Sequence, residues 1–383
     1  MLILVINCGS SSAKYRLFDV AKNRSLALRQ SSSPIVSKVE PLAKGVVERI
    51  GQPGSCRDHH AAIAVIVDAL TKGRSKVIGS KSEIRGVGHR VVHGGEEFKE
   101  STLLNEKVIR SIEKYSELAP LHNPPSLSGI RASYEILKGI PQVAVFDTSF
   151  HQTMPQAAFL YGLPFKYYEK YRVRRYGFHG TSHRFVSEEA AKVLRRPLKS
   201  LKLITCHLGN GCSMAAVSGG RSVDTSMGFT PLEGLLMGTR SGDLDPAVVL
   251  YMMEKEGLTL SQVNDILNKD SGLLGVSGVS NDMRDMLRRV RVQGTGYRRC
   301  KLAIEIFIYR IKKYIGAYYA AMGGLDAVIF TAGIGENNPW IMKRIELELK
   351  GVVDGKTRFI IIPTNEELLI ARDTYTIIKR GIK

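Results

Sequence analysis

The densest combination of glycine turns and ionisable residues lies between residues 203 and 246. LITCHL, the turn Gly209-Asn210-Gly211 and CSMAAV predict a β-hairpin with a glycine tip. Such a tip lets backbone N–H groups approach a phosphate, although Gly-Asn-Gly alone is more often an ordinary turn. GRSVDTS predicts a third strand, and Arg240 follows in a glycine- and aspartate-rich loop, where a guanidinium can bind oxyanions. The segment is interpreted as a phosphate site.

Several other apolar runs also end at polar residues. VAVF stops at Asp147, LITC at His207, AVIF at TAGIGEN and FIII at PTNE. The carboxyl ends of strands carry the chemistry in α/β sheets, so these ends are candidate site positions.

A turn in RRYGFHGTSH precedes a helix that we expect to begin near His183, capped by Thr181 or Ser182, with acids in its first turn. Either histidine alone is more often structural. His179 is the better candidate because it lies in the glycine-rich turn.

Composition bounds the class of protein. The chain has 383 residues, 44% hydrophobic and 24% charged, enough for two domains. The six apolar residues before Asn7 are too few for a signal peptide, and no run approaches the ~18 apolar residues of a membrane span. The cysteines lack CxxC or metal-site spacing, so we expect reduced packing residues in the cytoplasm, with a catalytic cysteine as a minor alternative.

The net charge of +19 raises the question of nucleic-acid binding. The densest basic run, from 284 to 301, has no interleaved aromatic residues and no zinc-finger, helix-turn-helix or RNA-binding motif. A solvated basic surface is the preferred interpretation, with nucleic-acid binding as the alternative. The excess charge would still steer anionic substrates.

Two glycine-tipped hairpins occur about 200 residues apart, the first from Asn7 to Lys14, which suggests two domains of one design. There is no GxxxxGK[ST], and no GxGxxG follows the first strand, so a P-loop and a dinucleotide fold are disfavoured. Two such hairpins and the GIGEN segment are typical of a nucleotide cleft between related domains, as in actin, hexokinase and Hsp70.

The ordered motifs NCGSSSAK, HRVVHGG, HNPP, FDTSFH, RYGFHGTSH, HLGNGCS, DTSMGFTPLEGLLMGTRSGDLDP, SGVSNDMRD, TAGIGEN and PTNEE, spanning residues 7 to 367, resemble the acetate kinase family. The resemblance implies an α/β fold of two actin-like (ribonuclease H-like) domains with a nucleotide cleft between them. Residues 1–148 with a C-terminal helix at 368–383 would form the first, and 149–367 the second. It also implies reversible phosphoryl transfer from ATP to acetate, giving acetyl phosphate and ADP, with Mg²⁺ (Mn²⁺ possible), in a homodimer.

The resemblance further implies site residues. The catalytic ones would be Asp147, His179 and Arg240. Acetate would contact Arg90, Val92, Leu121, His122, Phe178 and Pro231. The nucleotide would contact Lys14, His207, Leu208, Gly209, Asn210, Gly211, Asp282, Met283, Arg284, Gly333, Ile334, Gly335, Glu336 and Asn337, the last five as a loop. Asn7 and Glu366 would bind the metal.

Physical chemistry qualifies one role. Acetate is already ionised at pH 7, so bringing an anion to a polyanion is the difficulty, and no strong base is needed. We therefore interpret Asp147 as orienting arginine or metal, where the family describes an acid/base residue. Propionate kinase and an actin-like ATPase that needs no acid remain alternatives. Two departures from the family, a short segment between Asn338 and Phe359 and TAGIGEN in place of TGGIGEN, remove no proposed catalytic residue.

Overall fold

The structure is a computed structural model that describes residues 1–20, 39–72 and 76–381. The chain forms two compact units, Met1–Gln152 with Asn365–Lys383, and Thr153–Thr364. The predicted boundaries lay after residues 148 and 367, so Glu366 falls in the first unit here. Residues 382–383 of the predicted terminal helix lie outside the described part of the chain.

A six-stranded sheet forms the centre of the first unit, in the order β3-β2-β1-β4-β6-β5. The apolar run LILVINC forms the inner strand β1, hairpinned to β2 and parallel to β4. β4 is in turn parallel to β6, whose five residues are all buried. The strands are β1 Leu2–Cys8, β2 Ser12–Asp19, β3 Ala43–Glu48, β4 Ile84–Val91, β5 Thr102–Leu103 and β6 Gln142–Phe146.

Helices cover this sheet, and side-chain caps define the start of two of them. Asp58 accepts from the amide of Ala61, and Asn105 from that of Val108. The terminal helix packs on β4 closely enough that a Cβ at Gly88 would lie 2.5 Å from Thr374 Oγ1. The α-helices are His59–Thr71, Glu106–Lys114, Asn123–Ile136 and Glu366–Gly381, and the 3₁₀-helices are Lys81–Glu83, Tyr115–Glu117 and Ser149–Thr153.

The second unit has a five-stranded sheet in the order β11-β10-β7-β8-β9. β7 and β8 form the predicted glycine-tipped hairpin, and β9 is the predicted third strand. The strands are β7 Lys202–Leu208, β8 Cys212–Ser218, β9 Arg221–Thr225, β10 Ala327–Thr331 and β11 Arg358–Ile361.

The second unit carries most of the helical residues, including the long helix Tyr297–Met322, whose buried face packs Phe307, Ile311 and Ile315. The other α-helices are Gln156–Phe159, Lys166–Tyr171, Gly180–Leu194, Pro246–Glu256, Leu260–Asp265, Gly272–Ser277, Met283–Val292, Ala332–Asn337 and Pro339–Glu348, with a 3₁₀-helix at Leu198–Ser200 and a π-helix at Ile266–Asp270.

The two sheets share one strand arrangement. In each, a central strand is hairpinned to a second strand, the second pairs antiparallel with a third, and two parallel strands follow on the other side of the central strand. The predicted fold class, α/β with two domains of one design, is confirmed. Within the described residues, every helix falls short of the length and apolarity required to traverse a bilayer.

Candidate active site

In the first unit, the carboxyl ends of β4 and β6 bring Arg90 and Asp147 together. The two strands are parallel neighbours with Val91 opposite Phe146, and the Asp147 amide donates to the Val91 carbonyl at 3.0 Å. Asp147 therefore directly follows the last residue of β6 and lies beside the last residues of β4. The expectation that strand ends carry the ionisable residues holds at this edge.

Arg90 binds the Asp147 carboxylate through three hydrogen bonds. Its Nε donates to both carboxylate oxygens at 3.0 and 3.1 Å, and Nη2 donates to Oδ2 at 2.6 Å. The Asp147 side chain is 2% exposed and that of Arg90 22%. Burial alone would lower the pKa of Arg90, but the carboxylates of Asp147, Glu366 and Glu367 outweigh it, and the pKa is raised above its ordinary value. Arg90 is therefore a permanent cation.

This geometry bears on the role of Asp147. Both of its oxygens accept hydrogen bonds from Arg90, whose Nη1 is left to face other groups. The carboxylate therefore holds the guanidinium in one orientation.

Asn7 and Glu366, the two expected metal ligands, belong to the same unit. Asn7 is paired with Lys14 across the β1–β2 hairpin, and Glu366 begins the terminal helix, where Asn365 caps Leu368. Among the described residues, no three His, Cys, Asp or Glu side chains cluster as a metal site. An oxygen donor set of one carboxylate and one amide fits Mg²⁺, which usually keeps waters and substrate phosphates as ligands.

The expected acetate contacts of the first unit lie on two segments that Asn123 joins. Its carboxamide accepts from the amide of His93 at 3.1 Å and donates to the carbonyl of His93 at 3.0 Å. Val92 precedes His93, and the exposed Leu121 and partly buried His122 precede Asn123. Asn123 was not predicted as a site residue. The Asn123 side chain is completely buried although it lies on a polar segment, and this burial distinguishes it. The sequence alone does not show which polar side chains are buried.

In the second unit, the side chains of Arg240 and His179 both lie close to Gly211. A Cβ at Gly211 would lie 3.5 Å from Arg240 Nη1, 3.5 Å from His179 Cε1 and 3.7 Å from His179 Nε2. Arg240 Nη1 also donates to the carbonyl of Pro231 at 3.2 Å, and burial lowers the pKa of Arg240. The hairpin tip, Arg240 and His179 thus lie close together.

His179 does not sit in the local structure that we expected. The helix begins at Gly180, not near His183, has no acid in its first turn, and is preceded by His179 in a left-handed conformation with φ 55°. Ser182 was expected as a possible cap, but its hydroxyl donates to Thr364 at 2.9 Å and contacts His207 Nδ1 at 2.7 Å. Tertiary bonds therefore replace the predicted cap.

Three imidazoles cluster behind the hairpin. The rings of His179 and His207 stack with centroids 4.1 Å apart, and His183 meets His207 edge-on at 6.3 Å. Ser213 contacts both His179 Nδ1 and His183 Nε2. His183, treated in the sequence as a weaker candidate, is fully buried and supports this cluster.

Two carboxylates without a sequence signal of their own, Asp243 and Glu233, hold the loop that carries Arg240. Asp243 accepts from the Gly234 amide and from the Tyr314 hydroxyl, each at 2.8 Å. Glu233 pairs with Arg175 at 2.5 Å and accepts from Tyr161, also at 2.5 Å. Burial, followed by the charge of Glu233, raises the pKa of Tyr161 above its usual range, so this phenol stays a donor.

Lys14, the one expected nucleotide residue of the first unit, lies on β2 opposite Asn7. The other expected nucleotide residues fall into three groups of the second unit. At the hairpin, Leu208 is buried, while Asn210 is exposed and accepts through its carbonyl from Gly238 at 2.9 Å. Asp282 caps Met283–Val292 and pairs with the exposed Arg284 at 2.6 Å, whereas Met283 is 2% exposed. Its side chain therefore faces the interior.

The GIGEN segment corrects one expectation. Gly333, Ile334, Gly335, Glu336 and Asn337 form the end of the helix Ala332–Asn337 and not a loop. Glu336 turns back to accept from the amides of Ala332 at 2.9 Å and Thr364 at 3.1 Å. This internal capping closes the turn, since it satisfies an amide that a loop would expose.

Comparison with known proteins identifies the family of this chain. The sequence profile of the Acetokinase family matches residues 2–352. The chain belongs to the acetokinase family. A relative in Halothermothrix orenii, an acetate kinase, is 51% identical over 99% of this chain and 100% of its own length. The resemblance inferred from the sequence motifs is therefore confirmed.

Solved structures of an acetate kinase and a propionate kinase share the whole fold. The crystal structure of Porphyromonas gingivalis acetate kinase superposes with a TM-score of 0.89, at 41% identity, over 98% of this chain and 99% of that one. A propionate kinase from Francisella tularensis gives 0.86, at 38% identity, over 98% and 99%. This family member thus has the fold of two actin-like domains.

Proposed function

We propose that this acetokinase-family protein catalyses reversible phosphoryl transfer from ATP to acetate, forming acetyl phosphate and ADP. The observation that carries the proposal is the convergence of Arg240 and His179 on Gly211, where each lies 3.5 Å from the position of a Cβ. A small gap lined by a guanidinium and an imidazole suits a phosphoryl group, whose charge spreads over three oxygens.

Acetate would bind to Arg90, oriented by Asp147. A carboxylate needs no deprotonation to attack phosphorus, so Asp147 has no proton to remove. Its contribution is to keep the guanidinium fixed, which lets Arg90 hold the acetate with less loss of entropy on binding. The reaction class requires cations to offset anion repulsion, and Arg90, Arg240 and Lys14 supply them.

Mg²⁺ is the proposed metal, with Mn²⁺ as a substitute that accepts the same oxygen ligands. Asn7 and Glu366 would hold it, together with water and phosphate oxygens. When bound, the ion would neutralise charge on the β- and γ-phosphates. The negative charge of Glu366 raises the pKa of Arg90, which supports the inclusion of Glu366 in the same site as Arg90.

ATP would contact the hairpin residues and the two helical segments described above. Amides of Asn210 and Gly211 would approach the phosphates, while the Gly209 amide donates to the carbonyl of Gly211 at 3.2 Å and holds the turn. Asp282 and Arg284, and the helix that contains Gly333 to Asn337, would contact the adenosine. Met283 and Leu208 would contribute through backbone atoms, because their side chains are buried.

The acetate methyl group would contact Val92, Leu121, Phe178 and Pro231, with His122 beside it. One extra methylene changes binding in an apolar site by only ~1–3 kcal/mol. Propionate is therefore expected to be a weaker substrate, and the fold shared with a propionate kinase makes it the second candidate.

A homodimer is the proposed assembly. The helix Pro246–Glu256 has the apolar sequence PAVVLYMM but no buried residue, and Leu250 and Tyr251 are 68% and 61% exposed. An apolar helix that is solvated in the monomer suits a second copy of the chain. Light scattering of the protein and of a Leu250→Glu variant tests this: a dimer that dissociates in the variant supports the assignment.

We further propose a cytoplasmic protein that does not bind nucleic acid. All five cysteines are free thiols, and the basic helix Met283–Val292 pairs Arg284 with Asp282 and Arg288 with Asp285. Retention on nucleic acid at physiological salt would contradict the second statement.

The deciding experiment is hydroxamate trapping of acyl phosphate from Mg-ATP with acetate, propionate or no acid. The proposal predicts most product with acetate and little ATP loss without acid. Propionate as the best substrate would change the acceptor only. Equal ATP loss with and without acid would mean an ATPase and would remove the assigned role of Arg90.

A further inference from the structure

A chain of hydroxyl and imidazole groups lies behind His179. Ser213 Oγ is 2.9 Å from His179 Nδ1 and 2.8 Å from His183 Nε2. His183 Nδ1 is in turn 2.7 Å from Thr205 Oγ1. Ser213, His183 and Thr205 are each 0% exposed, so bulk water does not compete for these bonds. The hydroxyl and imidazole groups named here are therefore direct determinants of where these protons lie.

Thr205 sets that direction. Its single hydroxyl proton has two possible acceptors, His183 Nδ1 at 2.7 Å and the carbonyl of Ala215 at 3.5 Å. The longer contact is at the limit of a hydrogen bond, so the proton lies on the side of His183. A neutral imidazole that accepts at one nitrogen donates at the other. His183 therefore donates from Nε2 to Ser213.

Ser213 relays this order of donors and acceptors to His179. Its oxygen accepts from His183, and its one proton is then donated to His179 Nδ1. A neutral His179 that accepts at Nδ1 must carry its own proton on Nε2. Nε2 is the nitrogen that faces the gap beside Gly211, 3.7 Å from the position of a Cβ there, with Arg240 on the other side.

We propose that Ser213, supported by His183 and Thr205, is a positioning residue that fixes His179 as the Nε2–H tautomer, so that Nε2 donates a hydrogen bond to the phosphoryl group during transfer. The inference rests on the proposed phosphoryl transfer for its function, but the tautomer itself is a property of the free protein.

Loss of the Ser213 hydroxyl has a specific consequence. His179 would then exchange between both neutral tautomers, and the Nδ1–H form directs a lone pair from Nε2 at the phosphoryl oxygens. That form repels the transferred group instead of stabilising it. Substrate binding through Arg90 and the nucleotide segments is unchanged, so the effect falls on kcat and not on KM.

The first test reads the tautomer in the wild-type protein without substrate. Histidine-selective ¹⁵N labelling and long-range ¹H–¹⁵N spectra distinguish protonated from unprotonated ring nitrogens, and His179→Asn assigns the signal. The expected result is Nε2–H with an unprotonated Nδ1. An Nδ1–H tautomer would overturn the proposal, whatever reaction the protein catalyses.

The second test is kinetic. Ser213→Ala is expected to lower kcat roughly 10- to 100-fold, with KM for ATP and acetate within roughly twofold. Ser213→Thr keeps a hydroxyl and is expected to recover most of kcat. Full kcat in Ser213→Ala, or a change confined to KM, would overturn the proposal.

Ser187→Ala is the matched control. Its hydroxyl is also buried in the second unit, but it donates to the backbone carbonyl of His183 at 2.7 Å and not to an imidazole. We expect its kcat to be close to wild type. Circular dichroism checks folding of each variant, and if Ser213→Ala is unfolded, the wild-type tautomer alone decides. A wild type inactive with every acid would refute the proposed function and leave the tautomer result standing.

Discussion

The two units place different chemistry on the same strand arrangement. In the first, the carboxyl edge of the sheet holds a charged fork, Arg90 on Asp147. In the second, the corresponding edge holds imidazoles bonded to hydroxyls, and Arg240 comes from a separate loop. The topology provides a place for side chains, and the side chains decide whether that place suits a carboxylate or a phosphoryl group.

The difference also predicts which property of the protein a substitution at each sheet edge will change. A buried ion pair depends on both partners, since removal of one leaves a charge with little solvation. A network of neutral hydroxyls loses less stability when one member is removed, but it loses orientation. Variants of the first edge should therefore change stability and substrate affinity, and variants of the second should change turnover.

The largest expected effect is on the stability of the first unit. Asp147→Ala leaves Arg90 partly buried without its carboxylate and should lower the free energy of unfolding by about 3 kcal/mol. The double variant Arg90→Met with Asp147→Leu removes both charges and should recover most of that loss. Urea unfolding followed by circular dichroism measures it, and hydrogen exchange at β4 and β6 locates it. An Asp147→Ala protein as stable as wild type would show that the pair is not structural.

Next is turnover at the second edge. Arg240→Ala removes a cation from the proposed phosphoryl position and should lower kcat by ~10²–10³, with Arg240→Lys intermediate because a lysine lacks the fork. Arg90→Ala is the counterpart and should mainly raise KM for acetate. Steady-state kinetics with varied acetate separates the two. If both variants alter the same parameter, the division of labour between the edges is wrong.

The third prediction concerns proton uptake by the sheet of the first unit. His89 on β4 is buried and contacts Gln142 Oε1 at 2.7 Å, and burial lowers its pKa from 6.5 to about 4. The unfolded chain therefore binds a proton between pH 6.5 and 4 that the folded protein does not. Stability present above pH 6.5 should fall by about 3 kcal/mol as the pH drops to 4.

His89→Gln keeps an amide donor near Gln142 and should make this loss correspondingly smaller. His93, whose pKa burial lowers to about 3, still contributes to the remaining slope. Unfolding midpoints in urea at pH 4.5, 5.5 and 7 test the sign. A variant with the same pH dependence as wild type would place the proton uptake elsewhere.

How much of this was readable from the sequence depends on how local each signal is. The two hairpins and the strand end before Asp147 were predictable because apolar runs and glycine turns are local patterns. The strand expected to stop at His207 continues to Leu208. Their chemical roles came from the resemblance of the motifs to a family. The Arg90–Asp147 fork required knowing that β4 and β6 are neighbours, and strand order is not written in either segment.

The wrong expectations have the same origin. Ser182 has the sequence context of a helix cap, but its hydroxyl is used by His207 and Thr364, which are distant in the chain. GIGEN resembles a glycine loop, yet Glu336 accepts the amides of Ala332 and Thr364 and stabilises a helical turn. Ser213 ends the HLGNGCS motif, but the motif gave it no role, since a serine on a buried strand is distinctive only once its partners are known.

The smallest expected effect tests the gap beside Gly211 directly. In Gly211→Ala the new methyl group would meet Arg240 and His179 at 3.5 Å, an ordinary contact, so the free energy of unfolding should change little. The methyl group would nevertheless fill the space proposed for the phosphoryl group, and kcat should fall about tenfold. Gly316→Ala, in the helix Tyr297–Met322 with nothing within 4 Å, is the control that should gain up to about 1 kcal/mol and keep its activity. A fully active Gly211→Ala would mean that the phosphoryl group passes elsewhere, and the contrast between the two edges would then rest on Arg90 alone.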